Sequence, residues 1–250
     1  MADYSGWRMK FGLITPSTNT SMEPELDSIR PAGVTNHTAR MYISNQAMDD
    51  KAGFDRMLGE IDASIDSAVQ QVMTWEPDHL ILGIAAEAVG PGGLEPSRRF
   101  RERILERTGG IGVTQPADAL RPALDAYGVS GRIAIITPYH PSAEPNLVEY
   151  LGEIGCTLLR SEHITHEKPS EIGQTPDQRM REAIANVDGD DIEAIVQFGG
   201  NLPMGPLAAA AERRLGKPVI AQVRYTYWHA LRSNGIVDKI DGFGRLLAEF

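Results

Sequence analysis

Short apolar runs recur along the chain: MKFGLITP (9–16), DHLILGIA (78–85), GGIGVTQP (109–116), GRIAIITP (131–138), GCTLLRSE (155–162), EAIVQFGG (193–200) and KPVIAQVR (217–224). Runs of this length, bounded by Gly, Pro and polar residues, predict β-strands. Between them the pattern changes to helical spacing. FDRMLGEIDASIDSAVQQVMTW (54–75) carries apolar residues three and four apart and is closed by Trp75-Glu76-Pro77, because the residue before a proline is steered out of the helical region. RRFRERILERTGG (98–110) ends on a glycine pair suited to a helix C-terminus. PSAEPNLVEYLGEIG (141–155) and PLAAAAERRLGK (206–217) read as helices too. Continuous apolar strands alternating with helices mean parallel sheet covered on both faces, an α/β fold.

The order of elements also repeats. Ile14-Thr15-Pro16 is echoed by Ile136-Thr137-Pro138, and Glu23-Pro24 by Glu144-Pro145 at nearly the same offset. HLILGIAAEAVGPGG has a counterpart in EAIVQFGGNLPMG, again a strand running into a glycine-rich loop. The repeat predicts two related α/β lobes, residues 1–115 and 116–225, with a C-terminal helix at about 226–250 returning to the first. Open parallel sheets bind ligands beyond the C-terminal ends of their strands, so two facing lobes would set four polar loops around one cleft.

Composition narrows the partners. The formal charge of −10 argues against nucleic acid and anionic membrane surfaces. No 18-residue uncharged apolar run is present, so no membrane-spanning helix is expected, and MADYSGWRMK lacks the apolar core of a signal peptide. A single cysteine, Cys156, rules out an intrachain disulfide; a cytoplasmic location is the simplest expectation.

The candidate chemistry lies in the loops. Ser17, Thr18 and Asn19 follow the first strand; hydroxyls, a carboxamide and free N–H groups at such a turn suit a small carboxylate, whereas the bland reading is a helix cap and turn. Tyr139 takes the corresponding place in the second lobe, where its hydroxyl could donate to a carboxylate or act as a proton donor, or simply pack at the surface. Glu87, in the glycine-rich loop, is a candidate base if burial raises its pKa, or else a solvated loop carboxylate. Gly199, Gly200 and Asn201 allow close backbone approach to a ligand. Arg224 stands just past a strand and could clamp a carboxylate, or lie on a helix surface. No G-x-G-x-x-G follows the first strand and no G-K-[ST] loop occurs, so neither a dinucleotide nor an NTP is expected. His163 and His166 lack an obvious third ligand, so no metal site is expected. Cys156 opens a strand, at the end away from the expected site, and reads as a small buried hydrophobe.

Taken together, PSTNTSMEPEL, TPYHPSAEPN and AERRLGKPVIA followed by TYWHALRSNGI resemble the maleate isomerase and arylmalonate decarboxylase family of the Asp/Glu racemase superfamily, over nearly the whole chain. EPDHLILGIAAEA and the TYWHALR-N-G-I ending resemble its ectoine-utilisation branch most closely. The resemblance implies two pseudo-twofold-related lobes, no metal or organic cofactor, a small carboxylate bound between the lobes, and a homodimer. It implies Asn19 and Tyr139 as carboxylate-binding residues and Ala85, Ala86, Gly199 and Gly200 as N–H donors. It also implies one or two catalytic cysteines, which by this pattern fall at Ile84 and Phe198; neither is cysteine. Those two would form an apolar pocket wall instead. Three functions remain open: a decarboxylase- or isomerase-type enzyme using Tyr139 or Glu87, a hydratase or isomerase of an unsaturated diacid using water, and a non-catalytic small-acid-binding protein.

Overall fold

A computed structural model of the chain describes residues 4–48, 50–85 and 91–250. Two four-stranded parallel sheets form its frame. The first contains β1 (Met9–Pro16), β2 (Val34–Met41), β3 (His79–Leu82) and β4 (Val113–Thr114), in the order β2-β1-β3-β4. The second contains β5 (Arg132–Thr137), β6 (Thr157–His163), β7 (Ala194–Gln197) and β8 (Val219–Ala221), in the order β6-β5-β7-β8. Adding four to each strand number converts one order into the other, which is the repeat read from the sequence. Register agrees: Ile14 pairs with Leu82 as Ile136 pairs with Gln197.

The central strands β1, β3, β5 and β7 are mostly apolar because each feeds two cores. Phe11 and Leu13 of β1, Ile81 of β3, Ile133 and Ile135 of β5 and Val196 of β7 face a single cluster shared by both sheets. The alternate residues face outward clusters, Ile14, Leu80 and Leu82 in the first lobe and Ala134, Ile136 and Ile195 in the second. Successive strand side chains point to opposite faces, so a strand buried on both sides has no polar position to spare. β2 is an edge strand with the burial of one: Thr35, Asn36, His37 and Arg40 leave no apolar run, so the sequence pattern misses it.

Helices α1 (Met22–Ser28), α2 (Lys51–Val72), α3 (Glu95–Thr108), α4 (Pro116–Ala126), α5 (Glu144–Glu153), α6 (Asp177–Val187), α7 (Gly205–Leu215), α8 (Gln222–Ser233) and α9 (Arg245–Glu249) complete the described chain. The sequence pattern also misses α4, which holds two prolines; Pro116 occupies its first position, where a missing N–H costs nothing. The segment at 226–250 is not one helix. α8 begins at Gln222, stops at Asn234-Gly235, and the chain runs as a strap to short α9. α8 packs on α4 and α1 and touches β3, β4 and β8. Among the described residues no helix is long and apolar enough to cross a membrane.

Arg224 belongs to this packing, not to a ligand site. It is buried on α8, 3.8 Å from Glu25 of α1, donates to the Phe243 carbonyl at 3.1 Å and stacks over the Phe243 ring at 4.9 Å. Glu25 also accepts from the Gly205 N–H at the start of α7, at 3.2 Å. Burial pushes the Glu25 carboxyl up and the Arg224 guanidinium down, outweighing their attraction. The expectation that Arg224 clamps a substrate is therefore corrected: α8 starts earlier than the sequence suggested and turns the side chain under the strap.

Buried ionisable groups of both kinds, paired and neutral, set the stability of this frame. Arg224→Met should lower the unfolding free energy by about 3 kcal/mol, the cost of stranding a buried carboxylate, while leaving the carboxylate affinity of the folded protein unchanged; urea titration and calorimetric binding would check both, and a weakened affinity at unchanged stability would return Arg224 to the site. His79, at the start of β3, is buried with Nε2 2.8 Å from Thr114 Oγ1. Burial, then the charges of His229 and Arg101, press its pKa down from 6.5 to about 4. The folded state thus favours the neutral ring, so its contribution is present above pH 6.5 and is lost as pH falls toward 4. Between pH 7 and about pH 5 the loss should be about 2 kcal/mol, and His79→Leu should flatten that limb; parallel pH profiles for the two proteins would contradict this.

Candidate functional site

The loops at the C-terminal ends of β1, β3, β5 and β7 converge on a cavity of about 260 Å³. From the first lobe come Pro16, Thr18 and Asn19 after β1, and Gly83, Ile84 and Ala85 after β3. From the second come Pro138, Tyr139 and His140 after β5, and Gly199, Gly200 and Asn201 after β7. α2 supplies an apolar face. A 22-residue helix is about 33 Å long, and its first turns carry Phe54, Met57, Leu58 and Ile61 to the cavity beyond the strand ends. Their spacing of i, i+3, i+4 and i+7 is one helix face.

Asn19 both caps and faces the cavity. Its Oδ1 accepts from the Ser21 and Met22 N–H groups at 3.1 and 2.9 Å, holding the first turn of α1. That fixes the carboxamide orientation, and its Nδ2 donates to no described residue. The bland and functional readings of this loop are therefore the same arrangement: capping aims the free donors. Ser17 stands apart. Its hydroxyl donates to the Ile43 carbonyl at 3.2 Å and accepts from the Ile43 N–H at 3.1 Å, extending the β1–β2 ladder, and it does not line the cavity. Thr18 lines the cavity, and its carbonyl accepts from Asn201 Nδ2 at 3.4 Å.

Asn201 spends its side chain on joining the lobes. Oδ1 accepts from the Thr20 N–H at 2.9 Å, Nδ2 also reaches the Pro169 carbonyl at 3.3 Å, and the Asn201 carbonyl accepts from the Ser21 hydroxyl at 2.8 Å. Gly199 has φ +120°, and a Cβ there would meet Pro138 Cδ at 2.4 Å, so only glycine fits. Its N–H is already given to Gln222 Oε1 at 2.6 Å. The Gly200 N–H donates to no described residue and is the one of the pair free for a ligand.

The apolar wall differs from the sequence expectation at one position. The Gly83 N–H donates to Ile14 and the Phe198 N–H to Ile136, so Phe198 corresponds to Gly83 and Gly199 to Ile84. Ile84 lines the cavity. Phe198, one residue out of phase, is fully buried with its ring 5.9 Å from Tyr150 and faces the shared core. Expecting Ile84 and Phe198 to be matching walls is corrected accordingly. Ala86 and Glu87 lie outside the described residues. Cys156, the only cysteine, precedes β6 at the opposite end of its sheet, buried with Arg121 Nη1 3.6 Å from its sulfur; burial raises its pKa and no thiol lines the cavity.

Tyr139 lines the cavity, its ring 6.1 Å from Phe54. Its carbonyl accepts from His163 Nδ1 at 2.9 Å, and His163 Nε2 reaches Glu144 Oε2 at 3.0 Å. Both ring nitrogens are thus engaged, one by a backbone carbonyl and one by a carboxylate. Glu144, also bonded by the Ser161 hydroxyl, has its pKa lowered by Ser161 and then His163. This chain of side chains fixes the Tyr139 backbone. His166 is a lining residue on the other side, Nε2 2.9 Å from Thr175 Oγ1, its pKa lowered by burial and its ring neutral at pH 7. The two histidines face different partners.

Sequence reasoning missed His166, Arg99 of α3 and the first turns of α2. Only the last had a legible signal, the apolar face Phe54–Ile61 at the start of a long helix.

The comparisons fit this geometry. The maleate isomerase of Nocardia farcinica is 26% identical over 249 residues, covering 96% of each chain. A solved structure of a Nocardia farcinica maleate cis-trans isomerase variant, carrying a covalently bound succinylcysteine intermediate, has a TM-score of 0.82 at 27% identity and covers 97% of this chain and 99% of its own. An arylmalonate decarboxylase variant in its liganded form has a TM-score of 0.79 at 19% identity over 97% of this chain and 100% of its own, a likeness of fold. The arylmalonate decarboxylase family model matches residues 93–247, more than half of the sequence, and the chain belongs to that family, the maleate isomerase and arylmalonate decarboxylase group of the Asp/Glu racemase superfamily.

Proposed function

We propose that the protein is a cofactor-independent enzyme that binds a small carboxylate bearing an apolar substituent and breaks or rearranges a bond at the carbon next to that carboxylate, without a thiol. One observation carries the reading: a cavity lined both by donors without a partner among the described residues, Asn19 Nδ2 and the Gly200 N–H, and by the apolar side chains of Phe54, Ile61 and Ile84. The single buried Cys156 suits a reducing, cytoplasmic compartment.

Decarboxylation of a substituted malonate uses such a division directly. The retained carboxylate accepts from Asn19 and Gly200, while the second carboxylate of the same carbon lies against the apolar wall and loses its hydration. The carbon–carbon bond breaks, carbon dioxide leaves, and the bonding pair passes into an enediolate held by the same donors. Tyr139 gives its proton to the α-carbon, and water reprotonates the tyrosinate. The His163–Glu144 pair keeps Tyr139 in place through its carbonyl.

Proton NMR of the protein in heavy water with aryl- and alkylmalonates, maleate, 2-aryl propionates and amino-acid enantiomers would test this. The expected result is loss of a carboxylate from a substituted malonate with deuterium at the α-carbon, slowed at least about a hundredfold in a folded Tyr139→Phe variant. Binding without turnover of any acid would make the protein a small-acid binder, and turnover untouched by Tyr139→Phe would move the proton donor elsewhere.

A further inference from the structure

Helices α2 and α3 run side by side over the first lobe, and their facing surfaces carry a ladder of charge pairs. Arg107 pairs with Asp66; Arg103 donates to Asp66 and to Asp62, each at 2.7 Å. Each step moves four residues along both helices, one turn. The next rung toward the helix N-termini sets Arg99 against residue 58, and there the chain has leucine. Arg99 is exposed and has no ion-pair or hydrogen-bond partner among the described residues. The ladder therefore breaks where the cavity opens, and Leu58, Asp62 and Arg99 all line it. Arg99 is also the only lysine or arginine among the described lining residues, in a chain of net charge −10.

We propose that Arg99 is a specificity-determining residue that binds a distal carboxylate of the substrate, so that the ligand supplies the rung the chain omits. The substrate class is then a carboxylic acid whose apolar arm ends in a second carboxylate: one end at Asn19 and Gly200, the arm along Phe54, Leu58 and Ile61, the other end at Arg99. A guanidinium at the mouth of an apolar cavity selects for such an anion by charge-assisted hydrogen bonding. The assignment rests on the reading of the cavity as a carboxylate site.

Calorimetric titration with hexanoate, heptanoate and octanoate, and with the diacids adipate, pimelate and suberate, separates the two. The wild-type protein should bind at least one diacid about tenfold more tightly than the monoacid of its length, with the advantage shrinking at high salt. Arg99→Gln should remove that advantage and leave monoacid affinity unchanged, while Arg98→Gln, an exposed arginine off the cavity, should change nothing. Leu58→Asp should also remove it, by restoring the missing rung within the chain. If monoacids bind and Asn19→Ala weakens them, but no diacid is preferred, or if Arg99→Gln weakens both series equally, the Arg99 assignment falls while the carboxylate site stands. If no acid of either series binds, both fall.

Discussion

A parallel strand buried on both faces has nowhere to put a polar side chain except at its ends, and this constraint organises the molecule. β1, β3, β5 and β7 each alternate between the shared core and an outer one, so the polar groups that can meet a ligand gather in their C-terminal loops. Because the two lobes share one core, those four loop sets are brought face to face around a single cavity. Asn201 then ties the second lobe's loop to the turn after β1 through both its side chain and its carbonyl. With Asn201 engaged across the lobes and the Gly199 N–H taken by Gln222, the Asn19 carboxamide nitrogen and the Gly200 N–H are donors left without a partner among the described residues.

The frame was legible in the sequence because burial on both faces writes continuous apolar runs, and because the Ile-Thr-Pro repeat marks equivalent strand ends. The edge strand β2 was not, since only part of it is buried, and α4 was hidden by prolines at positions that a helix tolerates. In the site, Asn19, Tyr139 and Gly200 emerged from the repeat, whereas Phe198 was displaced by the two-residue period of a strand: a shift of one residue turns a cavity wall into core. Arg224 was misread for a related reason, since its role depends on where α8 begins. Arg99 had no local signature; it gains meaning only when α3 is set beside α2.

The two arginines show how burial sorts charge. Arg224 is buried with a carboxylate 3.8 Å away and a carbonyl to donate to, and its place is structural. Arg99 stays solvated at the rim, beside a helix that offers leucine where its neighbours offer aspartate. Burial likewise leaves Cys156 a packing residue at the far end of the sheet, so the chemistry proposed for this member of the family rests on oxygen and nitrogen groups and on an apolar wall.

The central claim is that a carboxylate binds between the lobes against Asn19 and Gly200. The most direct measurement is the nitrogen–proton NMR spectrum of isotope-labelled protein during titration with phenylmalonate. The account predicts saturable downfield shifts of the Asn19 side-chain amide and the Gly200 N–H, with Gly205 and the strap beside Arg224 unmoved. Shifts confined to the strap, or absent from Asn19 and Gly200 at saturation, would contradict it.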